Sequence, residues 1–119
     1  GFVKVVEFIP DSETKVKNVN ANEAAKILND TTIFILDVRT PQEYNEGHLP
    51  RAALIPVYEL ADKIDKISNY KSQPVFVYCR SGNRSAVALR ILSKQGFTNI
   101  IHLKGGIRSW INEGYSIDK

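Results

Sequence analysis

The apolar positions of this chain follow two alternating rhythms. Ile33-Phe34-Ile35-Leu36 and Val75-Phe76-Val77-Tyr78 are short continuous apolar runs, rich in β-branched and aromatic residues, as expected of strands buried on both faces. Residues 16–19, 53–55 and 99–103 read as further strands, the second of them stopped by Pro56. The opening residues 2–9 predict an extended segment that stops at Pro10, where Asp11-Ser12 turns the chain.

Helical spacing fills the intervals. Asn20 with Glu23 three residues later forms a capping-box pattern ahead of Ala24, Ala25, Ile27 and Leu28. Thr40-Pro41-Gln42-Glu43 supplies an N-cap, a proline for the first helical position and a glutamate at N3. Leu60, Ile64 and Ile67 mark one helical face. A helix from Ser85 carries Ala86, Leu89, Ile91 and Leu92 and stops at Gly96 in the C′ position. Ile107, Trp110 and Ile111 line a last helix ending near Gly114, with Trp110 expected in the core on a face shared with both isoleucines. Strands alternating with helices predict an α/β domain with a largely parallel sheet.

Bulk composition narrows the picture without changing it. At 119 residues, 43% apolar and 24% charged, the chain fits one compact globular domain. No apolar run approaches the roughly 20 residues that span a bilayer, so no membrane span is expected. The net charge of +3 is spread among interspersed acids and bases, which argues against nucleic acid and for a solvated surface with a slight preference for anions. A single cysteine makes no internal disulfide, so folding does not depend on an oxidising compartment. The chain has no methionine and opens at Gly1, which suggests a processed or trimmed product. The expected compartment is cytoplasmic by default, or extracytoplasmic where a signal peptide has been removed. A monomer or weak dimer is expected.

The chemistry concentrates in residues 75–86. An apolar strand delivers Cys79 to its carboxyl end, where open α/β sheets bind ligands, and a helix starts shortly afterwards. The loop between them must curl, and Gly82 and Asn83 tolerate left-handed backbone. Such a loop turns successive N–H groups inward as an anion nest, reinforced by the positive end of the following helix. A thiol there should ionise below its usual value of about 8.5. Arg80 and Arg84 add permanent positive charge. A lone cysteine is more often a small buried hydrophobe. Here the strand end, the glycine-containing loop, the two arginines and the helix start favour a reactive sulfur instead.

Three separated segments resemble the rhodanese family, and the likeness spans about residues 16–115. Residues 33–39 with Glu43-Tyr44-Asn45-Glu46-Gly47-His48-Leu49-Pro50 resemble its amino-terminal signature, residues 75–85 its active-site strand and loop, and Leu103-Lys104-Gly105-Gly106-Ile107-Arg108-Ser109-Trp110 its carboxyl-terminal signature. The resemblance implies a central, mostly parallel five-stranded sheet with helices on both faces over residues 16–119, behind an extension of residues 1–15 that adds an edge strand or a tail. It also implies a sulfurtransferase. Cys79 would take the outer sulfur of thiosulfate or a similar small anionic donor, release sulfite, and pass the sulfur to cyanide or a cellular thiol. Arg80, Ser81, Gly82, Asn83, Arg84 and Ser85 would bind the donor and the anions formed on Cys79. No cofactor is implied beyond the covalent persulfide itself. One departure is Arg51, where the family usually has glycine; a positive φ there would cost about 1 kcal/mol, and the added charge would matter if it lay near the mouth.

Rival readings are weaker. Phosphatases of the same fold place an arginine six residues after the cysteine, and here that position is Ser85. A scaffold domain that has lost catalysis usually lacks the cysteine. A redox or persulfide sensor needs the same exposed, low-pKa thiol, and peroxide reactivity without sulfur transfer would favour it. His48 and His102 have no companions at metal-ligand spacing, so no metal is expected, and His48 reads as a structural hydrogen-bonding residue after Gly47. Asp37 and Arg39, at a strand end, would pair with each other or a neighbouring helix, and contact of Arg39 with the site is the weaker alternative.

Overall fold

The structure, a computed structural model, describes residues 14–119. The extended segment expected at residues 2–9 and the turn at Asp11-Ser12 lie outside the described residues.

Five strands form one sheet: β1 (Lys15–Val19), β2 (Phe34–Asp37), β3 (Ala53–Leu54), β4 (Val75–Tyr78) and β5 (Asn99–Leu103). Their order is β1-β5-β4-β2-β3, and every pair is parallel. The mostly parallel sheet expected from the sequence is thus parallel throughout. Helices α1 (Ala21–Ile27), α2 (Pro41–Glu46), α3 (Val57–Leu60), α4 (Asn83–Lys94) and α5 (Gly106–Asn112) connect or follow the strands, and a 3-10 helix, Ala61–Tyr70, prolongs α3.

Strand alternation divides the core into two. Leu36, Val75, Val77, Cys79 and Ile100 pack on one face with Leu60, Ile64 and Ile67 and with Leu89 and Leu92 of α4. Ile35, Phe76, Tyr78, Ile101 and Leu103 pack on the other with Ala24 of α1 and with Ile107 and Trp110 of α5. Both faces are covered, which is why the central strands are apolar at every position rather than at every second one.

Local signals explain the element ends. Asn20 and Thr40 each accept from the backbone N–H three residues on while Glu23 and Glu43 reach back to the cap N–H, so both capping boxes are formed. Helix α4 closes on Gly96, whose φ is +91°; its N–H donates to the Ser93 carbonyl and that of Phe97 to the Leu92 carbonyl. These are the two bonds of a Schellman ending, as the glycine predicts.

Two local expectations change, and the open one at Arg51 is resolved. Helix α4 begins at Asn83, two residues before Ser85, so Asn83 is helical and Gly82 alone takes the left-handed turn, with φ +114°. Ile111 is 48% exposed while Ile107 and Trp110 are buried: α5 is short, and only those two side chains face the sheet. Arg51 does have a positive φ, +69°, and its guanidinium is turned to the end of α1. It donates to the carbonyls of Leu28 and Thr31, where α1 ends, so its charge serves the unpaired carbonyls of a helix terminus.

Candidate active site

The chain leaves β2 towards β3 on one side and leaves β4 towards β5 on the other. Connections therefore diverge beyond the carboxyl ends of β2 and β4, the switch point at which such sheets open a crevice. Cys79 stands there, one residue past β4.

The loop after Cys79 is curled tightly around the sulfur. The Gly82 N–H donates to Sγ at 3.0 Å, and the Ser85 hydroxyl oxygen lies 3.3 Å from it. The backbone N–H groups of Ser81 and Ser85 add to that of Gly82 in favouring the thiolate. Burial, with Cys79 only 1% exposed, pushes the thiol up, but these hydrogen bonds outweigh it and bring the thiol below its ordinary value. Gly82 is required for the curl: besides its positive φ, a Cβ there would overlap the Lys104 carbonyl.

Helix α5 clamps the loop from the other side. The N–H groups of Ile107 and Arg108 donate to the carbonyls of Cys79 and Arg80 at 2.9 and 3.1 Å. Gly106 permits this approach, since its φ is +67° and a Cβ would run into both carbonyls. With its carbonyls turned outward to α5, the loop keeps its N–H groups for the sulfur.

The residues expected around Cys79 separate into distinct places. Arg80 is exposed and lines a cavity of about 420 Å³ with Arg39, Glu43, Ile107, Arg108 and Ile111. Ser81, Gly82 and Asn83 border a second cavity, of about 390 Å³, together with His102 and Lys104. Ser85 is fully buried against Sγ. Arg84 turns to α2, where two of its nitrogens reach the two Glu43 carboxylate oxygens at 2.6 and 2.8 Å. That pairing holds the Glu43 carboxyl down at about 2. Arg80 and Arg108 have no ion pair among the described residues.

The crevice wall contributed by β2 is a buried ionic cluster. Arg39 is forked onto Asp37, with Nη2–Oδ2 at 2.7 Å and Nε–Oδ1 at 3.0 Å, and donates to the Gly47 carbonyl. The Tyr78 hydroxyl donates to Asp37 at 2.6 Å and accepts from the Leu49 N–H. Asp37 and Arg39 thus pair with each other, as expected, and Arg39 also lines the larger cavity. His48 stacks on Tyr44 at 3.9 Å and its backbone pairs with Asp118, a structural place that takes no part in the sulfur's hydrogen bonds.

Three contributors escaped the sequence reading. Gly106 and Arg108 lie in the stretch resembling the carboxyl-terminal signature, but their contact with Cys79 and Arg80 is tertiary. His102 was legible in part, because period-two alternation puts it on the face of Ile100, beneath α4. Its Nε2 lies 2.7 Å from Ser85 Oγ.

Comparison with known proteins agrees with this geometry. Residues 20–113 match the family model described as a rhodanese-like domain. A protein of Allochromatium vinosum named sulfurtransferase is 33% identical, over 86% of this chain and 94% of its own. Three other relatives are longer, and this chain spans 45%, 20% and 59% of them. Among solved structures, a rhodanese-related protein of Thermoplasma volcanium superposes with a TM-score of 0.76 at 35% identity, covering 86% of this chain and 97% of that one. The rhodanese-like domain of an Anabaena protein gives 0.77 at 29% identity, covering 85% and 77%.

Proposed function

The chain belongs to the rhodanese-like domain family and its activity is sulfur transfer, and from that premise we propose that it carries a sulfane sulfur from thiosulfate, or a similar small anion, as a persulfide on Cys79. The Cys79 thiolate attacks the outer sulfur of the donor, the donor's S–S bond breaks, and sulfite leaves with the electron pair. An acceptor, cyanide or a thiolate, then attacks the terminal sulfur; the Cys79 S–S bond breaks and the thiolate returns. Two displacements through one covalent intermediate give ping-pong kinetics.

The observation that carries this reading is the ring of donors around Sγ. Gly82 N–H and its neighbours in the loop stabilise a negative sulfur, both before loading and afterwards, when the charge sits on the added sulfur. Arg80 and Arg108, cationic and unpaired among the described residues, would take the donor's oxygens in the adjoining cavity. Arg84, tied to Glu43, would hold the loop in its curl.

Intact mass after incubation with thiosulfate tests the proposal. A gain of about 32 Da that cyanide removes, and that is absent in Cys79→Ser, is expected. No gain with thiosulfate or any other sulfane donor would overturn it.

A further inference from the structure

Behind the sulfur, polar groups from three different elements form one line. Ser85 Oγ, on α4, lies 3.3 Å from Cys79 Sγ and 2.7 Å from His102 Nε2 on β5. His102 Nδ1 lies 2.9 Å from Asn18 Oδ1 on β1. Cys79, Ser85 and His102 are all buried, and only Asn18, at the far end of the line, is exposed.

Counting those hydrogens shows a shortage. Asn18 Oδ1 can only accept, so Nδ1 of His102 carries a hydrogen. Neutral His102 then presents a bare Nε2, and the short contact takes the single hydroxyl hydrogen of Ser85. The same hydrogen is also within reach of the Gly82 carbonyl at 3.1 Å and of Sγ. In an imidazolium the order reverses: Nε2–H donates to Ser85 Oγ, and the hydroxyl hydrogen is free to turn to the sulfur.

We propose that His102 is a positioning residue for sulfur transfer, acting through Ser85, whose hydroxyl links the ionisation of Cys79 to that of the imidazole. As Cys79 ionises, its thiol proton passes to Ser85 Oγ while the hydroxyl hydrogen passes to Nε2. One S–H bond is exchanged for one N–H bond, the hydroxyl is regenerated facing the thiolate, and no oxidant, reductant or outside proton is consumed. The coupling is reciprocal: a thiolate favours the imidazolium as much as the imidazolium favours the thiolate.

The surroundings set the balance. Burial and the ammonium of Lys104, near the end of the same strand, hold His102 below its ordinary value. Against them stands Cys79, from the loop after β4. Strand β1 contributes the neutral Asn18, and the nearby guanidinium on α4, Arg84, is already paired with Glu43. The sulfur is therefore the one group on this line whose charge favours a protonated His102.

This inference rests on Cys79 being the sulfur carrier, but its test uses no sulfur donor. The His102 ring is titrated by NMR in wild type, Cys79→Ala, Ser85→Ala and the double variant, and the iodoacetamide alkylation rate of Cys79 is followed against pH. Removing the sulfur should lower the His102 midpoint by about one pH unit, and that response should shrink by at least half when Ser85 is alanine. The alkylation profile should bend twice in wild type and in Ser85→Thr, and once in Ser85→Ala and His102→Phe. An identical His102 midpoint with and without Cys79, or a response to Cys79→Ala that is equal with and without the hydroxyl, would overturn the relay. A single bend in wild type would do the same. The ring titration decides even if His102→Phe does not fold, because it keeps the native histidine. Failure to load sulfur while both titrations behave as described would instead reject the persulfide reading and leave the relay standing.

Discussion

Two buried polar clusters flank the end of β4, and they are built on opposite principles. On the β2 side, Asp37, Arg39 and Tyr78 are joined with Gly47 and Leu49 by hydrogen bonds in which every one of these donors reaches an acceptor, two of them sharing Asp37 Oδ2, and the charges cancel. On the β5 side, Ser85, His102 and Asn18 are formally neutral, and a single hydroxyl hydrogen faces three acceptors. The first arrangement admits one hydrogen pattern and behaves as a fastening. The second admits more than one, and it touches the reactive sulfur. Saturation of hydrogen bonds, rather than burial or charge, separates the group that holds the crevice from the group that tunes it.

The widest separation between the clusters should come from Asp37→Ala. It strands the Arg39 guanidinium, itself only 5% exposed, without its counter-ion, and breaking such a pair costs about 3–5 kcal/mol. Urea unfolding should show the loss as a lower midpoint, while the bends of the Cys79 alkylation profile stay in place in the folded fraction. A smaller loss, about 1–3 kcal/mol, is expected for Tyr78→Phe, which removes the hydroxyl bridging Asp37 and the Leu49 N–H. Burial and the neighbouring Asp37 carboxylate push that hydroxyl well above its ordinary value, so it stays a donor at both pH 6 and pH 9. The unfolding midpoint of Tyr78→Phe should accordingly fall by the same amount at pH 6 and pH 9. A loss that differed between these pH values would mean that the β2 cluster also titrates, and the contrast would fail.

The unequal legibility of the two clusters has a physical cause. What lies within one helical turn or one strand could be read directly: the capping boxes at Asn20 and Thr40, the C′ glycine at 96, and the delivery of Cys79 by Val75–Tyr78. Asp37 and Arg39 are two residues apart, so their pairing was an open expectation. Arg84 and Glu43 are 41 residues apart, and Ser85 and His102 are 17 apart on different layers. Those contacts exist only once α2, α4 and the sheet have packed, and no local spacing encodes them. Asn83 shows the converse: it tolerates left-handed backbone, but the short loop needs one such residue and Gly82 supplies it. The all-round coverage of the sheet was visible in the unbroken apolar runs, whereas the exposure of Ile111 depends on how short α5 is.

The Glu43–Arg84 pair supplies the intermediate case, charged like the first cluster yet open to solvent like the cavity it borders. Its side chains are 24% and 35% exposed, so screening leaves the pair worth at most about 1 kcal/mol. Hydrogen bonds from Arg84 lower the Glu43 carboxyl from 4.5 to about 2 in the folded protein, against the burial that would raise it. A carboxyl depressed on folding stabilises fully above its unfolded value and loses that contribution as the pH falls through the folded value. The contribution should therefore be constant down to about pH 4.5 and fade towards pH 2, and Glu43→Gln should remove it at neutral pH. In unfolding titrations between pH 7 and pH 2, wild type and Glu43→Gln should differ by a small constant amount and then converge in acid. Convergence would identify the pair as a fastening of the first kind, weakened by water. Curves that stayed parallel to pH 2 would mean that the difference does not come from the ionised carboxylate, and that the ion pair does not fasten Arg84 of α4 to α2.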